Sequence, residues 1–282
     1  MNPLYGGVEA GGTKFTCAIG KSSGEILAYE EIPTTSPSET LGKVTEFFKS
    51  NQPVVSLGVG AFGPVDLDSG SNTYGYITKT PKQGWSNVDI KGPLTQSLAI
   101  PIELETDVGC AGLGEYFFGV AKGINNILYL TIGTGIGGAS LLNGRVQHGA
   151  AHPEMGHIFI PHDLKTDPFP GSCPFHGDCF EGLASGPAIE QRAGQRAEQV
   201  IDPVRWDLEA NYIALGITNL IVTLSPKIVV MGGGLIKHGG LIKEVQSLAQ
   251  KLINGYMALP TITIASDRNA VRGAIRLAAQ GS

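Results

Sequence analysis

Residues 4–20 read LYGGVEAGGTKFTCAIG and residues 126–142 read NILYLTIGTGIGGASLL. In each stretch a β-rich apolar run meets a cluster of Gly and Thr and then resumes as a second apolar run. This pattern predicts two β-hairpins whose tight turns expose backbone N–H groups, because glycine has no side chain to cover them. Two facing turns of free amides, at residues 11–13 and 133–138, would form a cradle for a polyphosphate. The sequence therefore points first to the handling of a nucleotide.

The second turn also matches a different motif, because Gly133, Gly135 and Gly138 fit the dinucleotide fingerprint G-x-G-x-x-G. That fingerprint has its meaning only where a helix follows the turn. Here the step Asn143-Gly144 follows, which is a strong turn signal between strands. The first turn is no P-loop either, because no Gly directly precedes Lys14. Both turns are predicted to join strands, although two ordinary Gly-rich hairpins would look similar.

Composition limits the classes of protein. The 282 residues are 42% hydrophobic and 16% charged, which is typical of a globular chain long enough for two domains. The net charge of −5 argues against a nucleic-acid surface. No export signal precedes the first hairpin, no apolar stretch reaches the length of a membrane span, and four Cys form no disulfide framework. We expect a cytoplasmic enzyme without nucleic-acid or membrane partners.

Strands and helices alternate within each half of the chain, which predicts duplicated α/β domains with a cleft between them. The two hairpins aside, periodicity predicts strands at 24–32, 54–61, 101–105, 227–231 and 261–265. Helices are predicted at 36–50, with Ser36 or Ser38 as the cap, and at 107–119, 207–224, 239–253 and 270–280. Residues 62–88 read as irregular or short strands, and residues 148–180 have little periodicity.

A possible metal site stands in the sequence Cys173-Pro-Phe-His176-Gly-Asp-Cys179. This spacing places three ligands of the kind that Zn²⁺ prefers around one tight turn. A fourth ligand would come from elsewhere, and the candidates are His148, His152, His157 and His162. Four protein ligands would make the zinc structural rather than catalytic. The alternative is a surface loop with free thiols.

Several polar residues are candidates for contact with substrates. Asp107 lies where strand 101–105 meets a helix, so it is either the N-cap or a base that accepts a proton from a substrate hydroxyl. Glu154, His157 and Glu181 suit hydrogen bonds to the vicinal hydroxyls of a sugar, or they are solvated loop residues. The glycines of MGGGLIKHGG, residues 231–240, would allow a purine or ribose close to the backbone, or they form a helix-entry turn.

The order of EAGGTKF, GAFGPVD, ETDVGCAGLGE, IGTGIGG, HPEMGH, CPFHGDC and MGGGL resembles the sugar kinases of the ROK family, most closely bacterial fructokinases. The resemblance runs from residue 7 to about residue 275. It implies an actin-like (hexokinase/ribonuclease H-like) duplicated two-domain fold with a central cleft. It also implies transfer of phosphate from Mg·ATP to the 6-hydroxyl of a hexose. Glucokinase or mannokinase activity is an alternative, and a non-catalytic sugar-sensing regulator is a more remote one.

The resemblance also assigns roles by position. It makes Asp107 the general base, and it places Gly63, Glu154, His157 and Glu181 near the sugar. It makes His157 the fourth zinc ligand beside Cys173, His176 and Cys179. The nucleotide contacts that it implies are Gly11, Gly12, Thr13, Lys14, Gly133, Thr134, Gly135, Pro187, Gly233, Gly234, Lys237 and His238.

Two positions depart from the common family pattern. Glu9 stands where many members carry Asp, so this chain has a longer carboxylate at a position that bears on magnesium coordination. His176 stands where many ROK glucokinases carry a third cysteine, and this favours the fructokinase branch.

The predicted domains are 1–117, onto which a closing helix at 266–282 packs back, and 118–265, which contains the zinc loop 157–181. Members of the family are often dimeric, so a homodimer is expected.

Overall fold

The computed structural model describes residues 3–281; Met1, Asn2 and Ser282, at the ends of the predicted domains, lie outside the described residues. The chain forms two compact units. The first unit contains the chain up to Gly123, residues 144–152 and the chain from Ser266 onward. The second unit contains residues 124–143 and 153–265.

The strands are β1 (Tyr5–Ala10), β2 (Lys14–Gly20), β3 (Ile26–Pro33), β4 (Leu57–Ala61), β5 (Tyr76–Ile77), β6 (Val88–Asp89), β7 (Ile102–Thr106), β8 (Asn126–Ile132), β9 (Ile136–Leu142), β10 (Arg145–Val146), β11 (Ile228–Gly232) and β12 (Thr261–Ile264). The α-helices are α1 (Pro37–Ser50), α2 (Lys91–Leu98), α3 (Asp107–Phe118), α4 (Phe180–Ala184), α5 (Gly186–Ala193), α6 (Pro203–Leu224), α7 (Leu241–Ile253) and α8 (Asn269–Gln280). Among residues 3–281, no helix is both long and apolar enough to cross a membrane.

The sheet of the first unit has the strand order β3-β2-β1-β4-β7. The predicted hairpin at 4–20 is confirmed as the antiparallel pair β1–β2, and β3 pairs antiparallel with β2. Strand β4 lies parallel to both β1 and β7. The carboxyl ends of β1, β4 and β7 therefore meet at one edge of this sheet.

Helices cover both faces of this sheet. On one face, α1 begins after Ser36, whose hydroxyl accepts the Glu39 N–H, and its apolar side packs into the same core cluster as Phe15. This confirms the predicted helix and selects Ser36 as its cap. On the other face, α8 comes so close that a Cβ atom at Gly58 would clash with the Ala274 carbonyl oxygen. Glycine in β4 is therefore a condition for seating the last helix of the chain.

In the second unit the strands follow the order β9-β8-β11-β12. The predicted hairpin at 126–142 is confirmed as the antiparallel pair β8–β9, and β11 lies parallel to both β8 and β12. In each unit, therefore, the first strand of an antiparallel hairpin also pairs with a parallel strand, which is β4 in the first unit and β11 in the second. Helices α4, α6 and α7 contribute to the apolar core, with Phe180, Ile217 and Val245 fully buried.

The structure differs from the predicted elements in a few places. Helix α6 begins at Pro203 rather than at residue 207, because the Asp202 carboxylate accepts the Val204 N–H and proline occupies the first turn. Helices α2, α4 and α5 were not predicted from the pattern. Leu94 is the buried residue of α2, and α4 and α5 are short and follow one another through Ser185, so neither sequence has a long apolar period.

One buried carboxylate joins distant parts of the first unit. Glu115 of α3 is fully buried. Its Oε1 accepts the Ser266 N–H at 2.6 Å, and its Oε2 accepts the Val120 N–H at 2.9 Å and the Ser266 hydroxyl at 3.2 Å. Val120 lies just before the chain first leaves this unit after Gly123, and Ser266 is the residue at which it enters this unit for the last time. Glu115 therefore holds the first and the last of the chain crossings to the end of α3.

We expect Glu115→Gln to destabilise the protein by about 1.5–3 kcal/mol, the usual value of a hydrogen bond to a charged group. An amide nitrogen would face an N–H or O–H donor in place of one carboxylate oxygen. Urea denaturation of the variant measures the change. Glu39→Gln is the control, since Glu39 lies on the exposed side of α1. Unfolding of Glu115→Gln at the wild-type midpoint would mean that these contacts contribute nothing.

Candidate active site

Asp107 is the first residue of α3, directly after β7. Thr106 is the N-cap, since its backbone is still extended and its Oγ1 accepts the Gly109 N–H at 2.9 Å. The interpretation of Asp107 as the cap is therefore wrong by one position. Its carboxylate accepts the Val108 N–H at 2.8 Å, and the residue is half-buried at the sheet edge.

The residue before the cap makes a second polar contact. Glu105 is buried, and its Oε2 lies 2.8 Å from His148 Nε2. Its Oε1 accepts the Thr106 N–H at 2.7 Å. The hydrogen bond to Glu105 raises the pKa of His148 above its ordinary value. The His148 ring therefore stays positively charged up to a higher pH than the ring of a free histidine does.

Gly63 follows the neighbouring strand end. Strands β4 and β7 are in parallel register with Ala61 opposite Thr106, so the loop after β4 and the start of α3 leave the same edge. The Gly63–Pro64 peptide bond is cis. The next N–H, that of Val65, donates to His152 Nε2 at 3.1 Å.

The first Gly turn, between β1 and β2, is closed by a hydrogen bond from the Gly11 N–H to the Lys14 carbonyl at 3.0 Å. Thr34 braces it, since its Oγ1 donates to the Gly11 carbonyl and its N–H donates to the Thr13 carbonyl. Gly12 has open space where a side chain would stand. The turn thus presents backbone amides without steric cover, as an anion-binding loop requires.

The two charged residues that flank this turn, Glu9 and Lys14, differ in their surroundings. Lys14 pairs with Glu31 on the neighbouring strand. Burial raises the pKa of Glu9, and the charge of Lys14 opposes that shift. The role of Lys14 at a nucleotide stays a prediction.

Three Gly-containing turns converge in the second unit. The Gly133 carbonyl accepts the Gly186 N–H at 2.7 Å, which holds the start of α5 and Pro187 against the second Gly turn. Gly233 has a φ of 93°, and a Cβ atom there would clash with the Ile132 carbonyl. The predicted nucleotide residues at 133–135, 187 and 233–234 therefore come together at one end of β8 and β11.

Lys237 and His238 continue from this point. Lys237 ends a short 3₁₀ helix, and the His238 ring stacks on Trp206 with centroids 3.6 Å apart and an interplanar angle of 9°. Both rings line a cavity of about 330 Å³ together with Gly239 and Gly240. Sequence analysis did not single out Trp206, because it lies one residue before the helix predicted at 207–224 and only the fold brings it to His238.

The residues implied for the sugar in this unit form a second polar group. Glu181 Oε2 accepts the Ile136 N–H at 2.8 Å, so it braces the second Gly turn. Burial is the larger cause that raises the pKa of Glu154 above its ordinary value, and the charge of Glu181 raises this pKa further. The His157 N–H donates to the Glu154 carbonyl at 3.0 Å. The sugar contacts of these residues stay predictions.

The four residues of the predicted metal site come together. The donor atoms of His157, Cys173, His176 and Cys179 all lie within 4.8 Å of one another. His157 Nδ1 is 3.7 Å from Cys173 Sγ and 3.5 Å from Cys179 Sγ. Tetrahedral zinc, with bonds of about 2.0–2.3 Å, separates its ligands by roughly 3.3–3.8 Å. The donor types fit this ion, and both distances from His157 Nδ1 lie within that range.

The other three candidate histidines have different partners. His148 contacts Glu105, and His152 accepts the Val65 N–H. His162 uses both ring nitrogens, with Nδ1 at 3.0 Å from Asp178 and Nε2 at 2.9 Å from the Asp167 carbonyl. His157 is therefore the histidine that the fold brings to the two cysteines and His176.

Comparison with known proteins identifies the family. The ROK family model matches residues 5–281, so the chain belongs to the ROK family, and the predicted resemblance is confirmed. It is 46% identical over 255 residues to a provisionally named fructokinase of Bacillus subtilis strain 168, covering 90% of this chain and 85% of that protein. It is 44% identical over 262 residues to a fructokinase of Lactococcus lactis subsp. cremoris, with 92% and 89% covered.

A solved structure supports the fold. The crystal structure of the ROK hexokinase of Thermus thermophilus superposes with a TM-score of 0.83 at 25% identity, covering 99% of this chain and 98% of that one. The predicted actin-like α/β fold is confirmed by this similarity.

Proposed function

We propose that this protein is an ATP-dependent fructokinase that transfers the γ-phosphate of Mg·ATP to the 6-hydroxyl of the sugar. The observation that carries the proposal is Asp107, a carboxylate at the carboxyl end of a parallel strand in a chain with fructokinase relatives at 44–46% identity. Substrate sites of open α/β sheets lie at this edge. Asp107 would accept the proton of the attacking hydroxyl.

The two Gly turns support phosphate binding. Phosphoryl transfer depends on positioning and charge neutralisation more than on covalent chemistry, and both turns present braced backbone amides for this purpose. The convergence of residues 133–135, 187 and 233–234 provides a platform for the rest of the nucleotide.

Magnesium bound with ATP neutralises phosphate charge. Glu9, in the strand before the first Gly turn, has the oxygen ligand type that Mg²⁺ prefers. Lys237 and His238 complete the proposed nucleotide contacts.

A coupled assay of ADP release over fructose, glucose and mannose tests the proposal. We expect the highest kcat/KM with fructose, since two fructokinase relatives are 46% and 44% identical to this chain. A preference for glucose or mannose would change the assigned sugar and keep the kinase. Absence of ATP turnover with every hexose would overturn the function.

Asp107→Asn removes the base but keeps the size of the side chain and an oxygen for the Val108 N–H. We expect kcat to fall by about 10²–10⁴ while the melting temperature stays near that of the wild type. The matched control is Asp89→Asn, because Asp89 also accepts an N–H, that of Gly92, beside a helix start. The base assignment fails if a folded Asp107→Asn protein keeps most of its kcat.

We further propose that His157, Cys173, His176 and Cys179 hold a structural zinc ion. Zinc would fix the turn between Cys173 and Gly177 and the bridge between Phe159 and Cys179. Glu181 follows Cys179 at once and braces the second Gly turn, so the metal would stabilise part of the nucleotide platform.

Purified protein should contain about one zinc per chain by elemental analysis. We expect the metal to be lost in Cys179→Ser and His157→Ala and kept in His162→Gln, because His162 has partners of its own. Chelation should raise the KM values for sugar and ATP. A metal-free protein with full activity would refute the site, and zinc loss confined to the His162 variant would refute the choice of ligand.

A cytoplasmic location and a homodimer stay predictions.

A further inference from the structure

Two histidines of the segment 144–152 contact strand ends of the first unit. Residues 147–151 are all exposed, so no apolar core fixes this part of the chain. His148 contacts Glu105 of β7 at 2.8 Å, and His152 accepts the Val65 N–H at 3.1 Å. All these residues belong to the first unit.

The first contact reaches the helix turn that carries Asp107. Glu105 binds His148 through Oε2, and its Oε1 accepts both the N–H and the hydroxyl of Thr106. The Thr106 oxygen in turn accepts the Gly109 N–H in the first turn of α3. A continuous line of hydrogen bonds therefore runs from His148 to the backbone on either side of Asp107.

The second contact reaches the neighbouring loop. Val65 follows the Gly63–Pro64 bond, in the loop that leaves β4 beside the end of β7. Because the Val65 N–H is the donor, His152 Nε2 is the acceptor of this hydrogen bond. One segment thus holds two adjacent strand ends, each of which carries a residue of the proposed sugar site.

We propose that His148, acting through Glu105, is a positioning residue for Asp107, and that His152 is a positioning residue for the Gly63 loop. The inference rests on the proposed function, in which Asp107 is the base and Gly63 lies near the sugar. His148 sets the direction of the Asp107 carboxylate and so acts on kcat. His152 sets the sugar loop and so acts on the KM for sugar.

Paired variants separate this role from general stability. We expect His148→Ala to lower kcat on the order of tenfold and His152→Ala to raise the sugar KM by a similar factor, with the ATP KM unchanged. Glutamine can place its nitrogen to donate to Glu105 and its oxygen to accept the Val65 N–H. His148→Gln and His152→Gln should therefore recover most of the loss. The control is Gln147→Ala, whose side chain bonds to the nearby Arg145 carbonyl.

A second measurement does not depend on activity. Hydrogen exchange at the Val65 amide should become faster in His152→Ala and return towards the wild-type rate in His152→Gln. Wild-type kinetics and exchange in both alanine variants would overturn the proposal. A higher ATP KM together with a lower melting temperature in the alanine variants, neither of them reversed in the glutamine variants, would also overturn the proposal. If Asp107→Asn keeps its kcat while exchange responds as expected, the base assignment fails and the contacts made by segment 144–152 remain.

Discussion

The parallel register of β4 with β7 is the constraint on which the first unit depends. It sets Ala61 opposite Thr106, so the loop that contains Gly63 and the helix that begins at Asp107 leave the sheet side by side. A one-residue slip would turn the side chains of a strand to the other face. Both faces are covered by helices, so such a slip is not tolerated. The register of β4 with β7 therefore determines both how the sheet packs and where the candidate base lies.

In the second unit, backbone contacts hold the second Gly turn, residues 133–138, in place. The Gly133 carbonyl binds the Gly186 N–H, and Gly233 packs on the Ile132 carbonyl where no side chain would fit. Glu181 then binds the Ile136 N–H on the other side of the same turn. Neighbours in α4, in α5 and directly after β11 therefore fix the position of this turn.

Buried carboxylates in this protein differ in how they are satisfied. Glu105 and Glu115 each receive several hydrogen bonds, and each joins segments that are far apart in the chain. Glu209 of α6 is buried without a hydrogen-bond partner among the described residues, and burial raises its pKa to about 8. An acid held neutral in this way costs less than an unpaired buried charge. The first two connect segments, whereas Glu209 makes no such connection.

The sequence alone determined the two hairpins, most helices and the grouping of Cys173, His176 and Cys179, because periodicity, turn residues and ligand spacing act over short distances. The family was indicated by the resemblance of its ordered motifs. The spacing alone left four histidines open as the partner of those cysteines, and the family resemblance implied His157. In the tertiary structure His157 lies beside the cysteines, and the other three histidines have different partners. The tertiary structure also decided that Thr106, not Asp107, is the cap, because both residue types suit that position and the backbone at the end of β7 makes the choice. The stacking of Trp206 on His238 could not be predicted from the sequence, because 32 residues separate the two side chains. They meet only when α6 packs beside the turn after β11.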